Sequence, residues 1–419
     1  MITIKLAFKD ILHDKMRALS LFFFIFVITI TLVLSTNVLG TVESNMQNSI
    51  RDCFTGDVII RSGESTKGEI YSWNIDAVNE VKIKGDDAKK QISVLNDLYS
   101  KGDVSGRIRY NGMVSMHLKS EMAMFIGLDA NYNAYKESLQ LIEGNYLSAN
   151  EGNGILMTKA IAEALGAKVG ETLVVDATAE DGKVISKELK VIGIAEMNSL
   201  SFFNIPIIYL NLDDAEKLFG YGKGELTDIV ITPNKGGSAQ TQINKITDKF
   251  NSQDINESTY TIQKGRELSG YIMDFVTIFS LMFIALIVIL FIIIGILVIN
   301  LIVMIGIQRK TDIGVMKAIG FSKRKIAVIY FCGIMLVSIL ALLCATLVSF
   351  IILSILSNVG ITNITGLMRN IFGQNFYPSI KFGNTFTVLI TAVVVLGIFS
   401  YVPCRKIANL NPVDAFKEN

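Results

Sequence analysis

From Phe275 to Ile307 the chain runs for about 33 residues without a charged side chain, and no other feature restricts its fold as much. A helix of that length rises 1.5 Å per residue to roughly 50 Å, against a hydrocarbon core of about 30 Å. The run reads as a membrane helix that projects beyond the bilayer. Three further apolar stretches, 18–42, 326–356 and 385–402, are long enough to cross. Basic residues gather at Lys5, Lys9, Lys15 and Arg17, again between the second and third spans, and at Arg405 and Lys406. All fall on one side of a four-span chain, which places both termini in the cytoplasm.

The expected order begins with an interfacial helix at 1–17, where Ile4, Ala7, Phe8, Ile11 and Leu12 share one face. Spans follow at 18–42, 274–307, 326–356 and 385–402. Between them lie an external domain at 43–273, a cytoplasmic loop at 308–325 and an external loop at 357–384, with a cytoplasmic tail at 403–419. The stripes Val42, Met46, Ile50 and Leu268, Tyr271, Ile272, Phe275 predict that the first two helices continue above the membrane as a paired stalk. Pro403 is expected to break the fourth helix as it leaves the bilayer.

The external region, about 220 residues, has room for one or two subdomains. Strands are expected at 57–60, 107–110, 114–118, 123–128, 154–158, 171–175, 189–194, 206–210 and 228–231. Helices are expected at 87–98, 159–165 (closed by Gly166), 213–219 and 238–250. Arg107-Ile108-Arg109-Tyr110 alternates like a strand with one face in solvent. The fold class is an α-helical membrane protein with four transmembrane helices and a large external α+β domain, a βαβ-like layer with an inserted small β-rich subdomain.

The loop between the second and third spans, QRKTDIGVMKAIGFSKRKI from Gln308 to Ile326, is more patterned than a connection needs. Ile313, Met316, Lys317 and Gly320 recur at i, i+3, i+4 and i+7, which predicts a short helix presenting an apolar stripe. Gly320 would end it, and Ser322 would cap the helix that follows. This stretch resembles the cytoplasmic loop of the FtsX-like, or macrolide-exporter-type, ABC transporter permease superfamily, with Asp312 where that family more often has Glu. The opening Leu6 to Leu12 (LAFKDIL) and the closing Arg405 to Phe416 (RKIANLNPVDAF) fit the same family, so the resemblance brackets the chain.

The resemblance implies that Asp312, Ile313, Gly314, Met316, Lys317, Ala318 and Gly320 couple to a dimer of ABC ATPase subunits on separate chains. It also implies a second copy, or a related second permease, as partner. In length and layout the chain looks most like the lipoprotein-releasing (LolC/LolE-type) permeases. By that likeness the clients are lipoproteins, handed from the outer leaflet of the bacterial inner (plasma) membrane to a periplasmic carrier, with Met273, Phe275, Ile278 and Met282 facing the acyl chain. Export of a peptide, toxin or macrolide-like compound is an alternative within the family, as is control of a cell-wall hydrolase.

No catalytic chemistry is expected. The glycine-rich Phe219 to Gly224 lacks the spacing and following hydroxyl of a phosphate loop. His13 and His117 fall on opposite sides of the bilayer and cannot share a nucleophile site, and neither sits among metal ligands. With 39 basic and 38 acidic residues, nothing points to nucleic acid. No cofactor is expected. Only Cys53 of the four cysteines falls in the external region, so no disulfide forms there. The second span is also poor in ionisable groups, Asn300 being its strongest polar residue. A charge relay driven by protons or ions is therefore not expected, and energy must come from another chain.

Overall fold

The computed structural model describes residues 15–65, 81–100, 102–149, 152–178, 184–197, 205–233, 237–268, 270–372 and 375–409. The expected interfacial helix and the tail beyond 409 lie outside the described residues. In chain order the helices are α1 (Lys15–Ile50), α2 (Gly85–Leu98), α3 (Ala134–Ser138), α4 (Lys159–Leu165), α5 (Leu212–Phe219), α6 (Ala239–Ser252), α7 (Gly270–Gln308), α8 (Lys310–Ala318), α9 (Lys323–Val359), α10 (Leu367–Phe372) and α11 (Phe382–Ala408). The strands are β1 (Val58–Ser62), β2 (Val104–Met116), β3 (Lys119–Leu128), β4 (Leu139–Gly144), β5 (Gly154–Thr158), β6 (Thr172–Thr178), β7 (Val184–Met197), β8 (Ile207–Asn211), β9 (Asp228–Ile231) and β10 (Tyr260–Lys264). The chain divides into two compact units, one of residues 1–42, 279–362 and 375–419, the other of 43–278 and 363–374.

In the first unit, α1, α7, α9 and α11 are long and apolar enough to cross a membrane. Each is longer than its apolar run alone suggests. Helix α1 continues to Ile50 and then widens into a π-helical turn at Arg51–Thr55, and α7 begins at Gly270. Leu21, Ile25, Leu32 and Val33 of α1 share a core with Phe291, Ile294, Val298 and Ile302 of α7, Ile326, Ile334 and Ala341 of α9, and Val388, Ala392 and Leu396 of α11. Gly295 faces the ring of Phe399 and Gly306 faces Ile407 so closely that a Cβ at either would collide, which brings α7 and α11 together as small residues do in membrane bundles.

Buried hydroxyls turn back on their own helices: Ser338 donates to the Ile334 carbonyl at 2.8 Å and Ser349 to Ala345 at 2.8 Å. With no water available, this is how such groups are satisfied. Asn37 on α1 is satisfied fully. Its Nδ2 donates to the Val33 carbonyl at 2.8 Å and Thr385 Oγ1 at 3.0 Å, and its Oδ1 accepts from the Lys381 backbone N–H at 2.8 Å.

Pro403 corrects the sequence reading. It lies buried inside α11, which runs on to Ala408. Proline removes one helical donor, but Cys404, Ile407 and Ala408 beyond it pack into the bundle core, and that packing keeps the last turns helical.

In the second unit the strands pair in the order β10-β1-β9-β2-β3-β8-β5-β7-β4, and β6 pairs with both β2 and β7. The pairings β2-β3-β8-β5-β7-β6-β2 therefore close a ring, in which each of these six strands has a partner on both sides over part of its length. Two contacts in the ring are parallel, β3 with β8 and β5 with β7. The two strands expected at 107–110 and 114–118 are one strand, β2. Met116 pairs with Lys119, so His117, with φ +54°, and Leu118 form the two-residue turn rather than part of a strand. Ile108, Phe125, Met157, Val191 and Ile208 fill the core with Leu218 and Phe219 of α5, where the rings of Tyr110 and Phe219 stack 4.4 Å apart. Glycines at φ +75° (Gly166) and +70° (Gly220) close α4 and α5.

Candidate functional site

The short helix expected between the second and third spans forms as α8, and only Arg309 separates it from α7. The Arg309 N–H donates to Ile305 O at 3.1 Å while its carbonyl accepts from Ile313 N–H at 3.1 Å, so the backbone bonding passes from one helix to the next. The C-terminus of α8 is a full Schellman motif: Phe321 N–H donates to Met316 O and Gly320 N–H to Lys317 O, both at 3.0 Å. Gly320 adopts φ +97°, the left-handed conformation the motif requires. Met316 and Phe321 also pack against the same bundle core, supplying the apolar contact that usually accompanies this cap. Ser322 stands at the N-cap of α9 but makes no side-chain capping bond; the Ile326 N–H donates to its backbone carbonyl instead.

The face that α8 presents differs from the expected one. Ile313, only 1% exposed, and Gly314 are buried, and Ile313 belongs to the core that holds Ile326 and Tyr330. Met316 and Lys317 are half-buried. Asp312, Ala318 and Gly320 are exposed, and they are joined by Val315 at 45% and Ile319 at 72%, which the sequence reading left out. The periodicity at Ile313 and Met316 is the seat of the helix on its own bundle. The free face is the opposite one, Asp312, Val315 and Ile319 at i, i+3 and i+7. Burial and the neighbouring Lys323 charge both lower the pKa of Lys317.

Met273, Phe275, Ile278 and Met282 fall on the outer part of α7. Ile278 and Met282 are exposed one turn apart and Phe275 is half-buried, while the Met273 side chain lies outside the described residues.

In the external unit, both chain crossings meet at one joint. β1 follows α1 and β10 precedes α7, and the two strands are antiparallel neighbours with Val58 opposite Lys264. Gly265 N–H donates to Asp57 O at 3.0 Å, and a Cβ at Gly265 would collide with the Gly56 backbone, so no other residue allows this approach. The π-helical turn at Arg51–Thr55 is held by side chains. Arg107 Nη1 donates to the Phe54 carbonyl, Arg107 Nε donates to Asp228 Oδ1 at 2.7 Å, and Arg109 Nε donates to Asp228 Oδ2 at 2.6 Å. Asp52 accepts from Ser138 Oγ at 2.7 Å and from Arg51 Nε at 2.6 Å.

Arg107 and Asp228 are almost completely buried, so the half-exposed reading of 107–110 is corrected. Burial alone would raise the Asp228 pKa, but the charges of Arg107 and Arg109 and their hydrogen bonds outweigh it and hold the carboxyl below its ordinary value. Burial, with the Asp52 charge beside it, pushes the Cys53 thiol up, so this cysteine stays a protonated core group. All four cysteines are free. Among the described residues no cluster of metal-binding side chains occurs.

A second tie within this unit runs from α10, where Arg369 Nη2 lies 2.5 Å from Glu196 Oε2 on β7. Arg369 remains 28% exposed, which limits the pair to about 1 kcal/mol. Exchanging either residue for glutamine is expected to raise amide exchange across 367–372. The double variant should exchange no faster than the singles, and additive acceleration would remove the pair from the account.

Four helices able to cross a membrane, a folded domain inserted between the first two, and a short helix seated on the bundle after the second give the layout of a polytopic membrane protein. Residues 18–249 match the family model of the MacB-like periplasmic core domain, and residues 273–412 match that of the FtsX-like permease C-terminal region. The chain belongs to the FtsX/MacB-type permeases of ABC transporters. No curated protein matches its sequence. Among solved structures, the periplasmic region of MacB from Actinobacillus actinomycetemcomitans is similar at 14% identity and a TM-score of 0.36, covering 50% of this chain and 90% of that one. The extracellular domain of the noncanonic ABC-type transporter YknZ from Gram-positive bacteria is similar at 12% identity and a TM-score of 0.34, covering 49% of this chain and 99% of that one.

Proposed function

We propose that this chain is the non-catalytic permease subunit of an ATP-driven complex and works as a lever, with both termini in the cytoplasm and the large domain outside the inner membrane. A dimer of separate ABC ATPase subunits seats on Asp312, Val315 and Ile319. Closure of that dimer on ATP moves α8, and α7 carries the movement to the external domain. The observation that carries this reading is the continuity of α7. At 39 residues it spans about 58 Å, with the external strand β10 just before it and α8 one residue after it.

The client we favour is a lipid-anchored protein released toward a periplasmic carrier. Between Ile278 and Ile289 the exposed residues Ile278, Leu281, Met282, Ile284, Leu286, Val288 and Ile289 spread over somewhat more than half of the circumference of α7, an apolar surface of the chemistry an acyl chain needs. Depleting the protein is expected to strand lipoproteins in the inner membrane, read by fractionating the envelope. Normal lipoprotein sorting with new sensitivity to a macrolide or peptide would replace this client by an exported compound. Altered cell-wall hydrolysis alone would replace it by a hydrolase partner.

A further inference from the structure

Five of the cations at the end of the bundle that carries α8 stand without a counter-charge among the described residues. Lys323, Arg324 and Lys325 fill the first turn of α9, and Arg405 and Lys406 lie in the last turn of α11. All five are exposed, and among the described residues none of their side chains makes an ion pair or a hydrogen bond. At α11 the two complement the negative end of the helix dipole. At α9 the three oppose it. The first turn of a helix favours anions, yet this one holds no acidic residue and no side-chain cap.

Two of the five flank one groove. The rings of Phe331 on α9 and Tyr401 on α11 meet edge to face with centroids 6.4 Å apart. Tyr401 is exposed, so this contact marks the outer margin of the interface between the two helices. Arg324 precedes Phe331 by seven residues, two turns along the same face of α9 and about 10 Å nearer the charged end. Arg405 follows Tyr401 by four, one turn along α11 and about 6 Å nearer that end. Because α9 starts where α11 finishes, with Ile326 of the first and Ile407 of the second in one core, both arginines come to the same mouth. Exposed Val328 and Ile398 border the groove further in.

We propose that this groove binds an anionic phospholipid, its phosphate held between the Arg324 and Arg405 guanidiniums and an acyl chain lying along Val328, Tyr401 and Ile398. A guanidinium takes a phosphate through paired N–H donors, and two of them on separate helices converge on one group as scattered surface charges do not. The order of side chains along the helices favours a lipid over a free phosphate or an acidic peptide. Within about two turns the wall passes from arginine through an exposed tyrosine to exposed aliphatic residues. That is the order of headgroup, interface and hydrocarbon in one leaflet. The bound phosphate also supplies the negative charge that the start of α9 lacks. The site depends on neither client nor ATPase.

The test is lipid binding by the purified full chain, delipidated in detergent and read by native mass spectrometry with phosphatidylglycerol, phosphatidylcholine and inorganic phosphate as probes. Phosphatidylglycerol is expected to bind at least about tenfold more tightly than phosphatidylcholine, and Arg324→Gln with Arg405→Gln to remove that preference. Lys323→Gln with Lys406→Gln takes away equal charge one position, about 100°, off the groove and should weaken binding no more than about threefold. Arg324→Lys with Arg405→Lys keeps the charge, and with it the fold, but should still weaken binding at least about threefold for want of the paired donors. Equal loss in the two glutamine pairs reduces the effect to net charge and overturns the site, as does equal binding of the two lipids. Inorganic phosphate binding as tightly as phosphatidylglycerol overturns the lipid assignment. Loss of ATPase copurification in the arginine-to-glutamine pair, with lipid binding unchanged, gives the groove to the partner protein instead.

Discussion

Asp228→Ala is expected to lower the melting temperature of the external domain by on the order of 10 °C, measured on the full chain in detergent. The carboxylate is completely buried, and both of its oxygens accept from arginines. Removing it takes the Asp228 carboxylate from the buried Arg107 guanidinium, and breaking a buried pair by removing one partner costs about 3–5 kcal/mol. The pH dependence has a definite sign. The folded-state pKa of Asp228 is lowered, so its contribution is complete above the ordinary carboxylate value of 3.8 and is lost as pH falls below it. The parent protein should therefore show a steep loss of stability on that acid limb, and the alanine variant a flatter one. A melting temperature within 2–3 °C of the parent would mean, at about 2–4 °C per kcal/mol for a domain of this size, that the cluster contributes no more than roughly 1 kcal/mol. The turn at Arg51–Thr55 would then be held by the close backbone approach of Gly56 and Gly265 instead.

This cluster also marks where sequence reading stops. The spans and the ends of α4, α5 and α8 are local signals, and hydropathy or a glycine announces each of them. Arg107 and Arg109 read as a solvent-facing alternation because the group that draws them inward is about 120 residues away, at the head of β9. The closure of the ring by β6 is hidden for the same reason: Val174 and Val175 meet Ser115 and Val114 only after long excursions of the chain. At α8 the stripe at Ile313 and Met316, expected as a docking face, packs against the helix's own bundle. A helix pinned to its own bundle needs an apolar stripe just as a docking helix does, and periodicity alone does not say which stripe belongs to which partner. The exposure of Val315 and Ile319 separates them.

That separation sets the largest functional effect. Ile319→Asp puts a charge on the free face of α8, 72% exposed and outside the bundle core, so insertion and melting temperature should stay near the parent values. Copurification of the ATPase should nevertheless fall at least 30-fold, the effect of losing an interface anchor worth about 2 kcal/mol or more. Gly320→Val tests the same surface through the backbone. No atom lies within 4 Å of the added Cβ, so the substitution acts only through its φ of +97°, which a β-branched residue adopts at a cost of about 1–3 kcal/mol. The Schellman bonds to Met316 and Lys317 should then loosen and displace Ile319. The ATPase should be lost as in Ile319→Asp, but with a small drop in melting temperature that the surface variant does not show. Ile313→Ala provides the contrast. It removes a buried side chain from the seat of the helix and should destabilise the bundle by about 2–5 kcal/mol, with loss of the ATPase following from that damage. Full copurification by Ile319→Asp together with loss in Asp312→Lys would confine the docking surface to the first turn of α8. Full copurification by both would remove α8 from the coupling path, whatever the rest of the lever does.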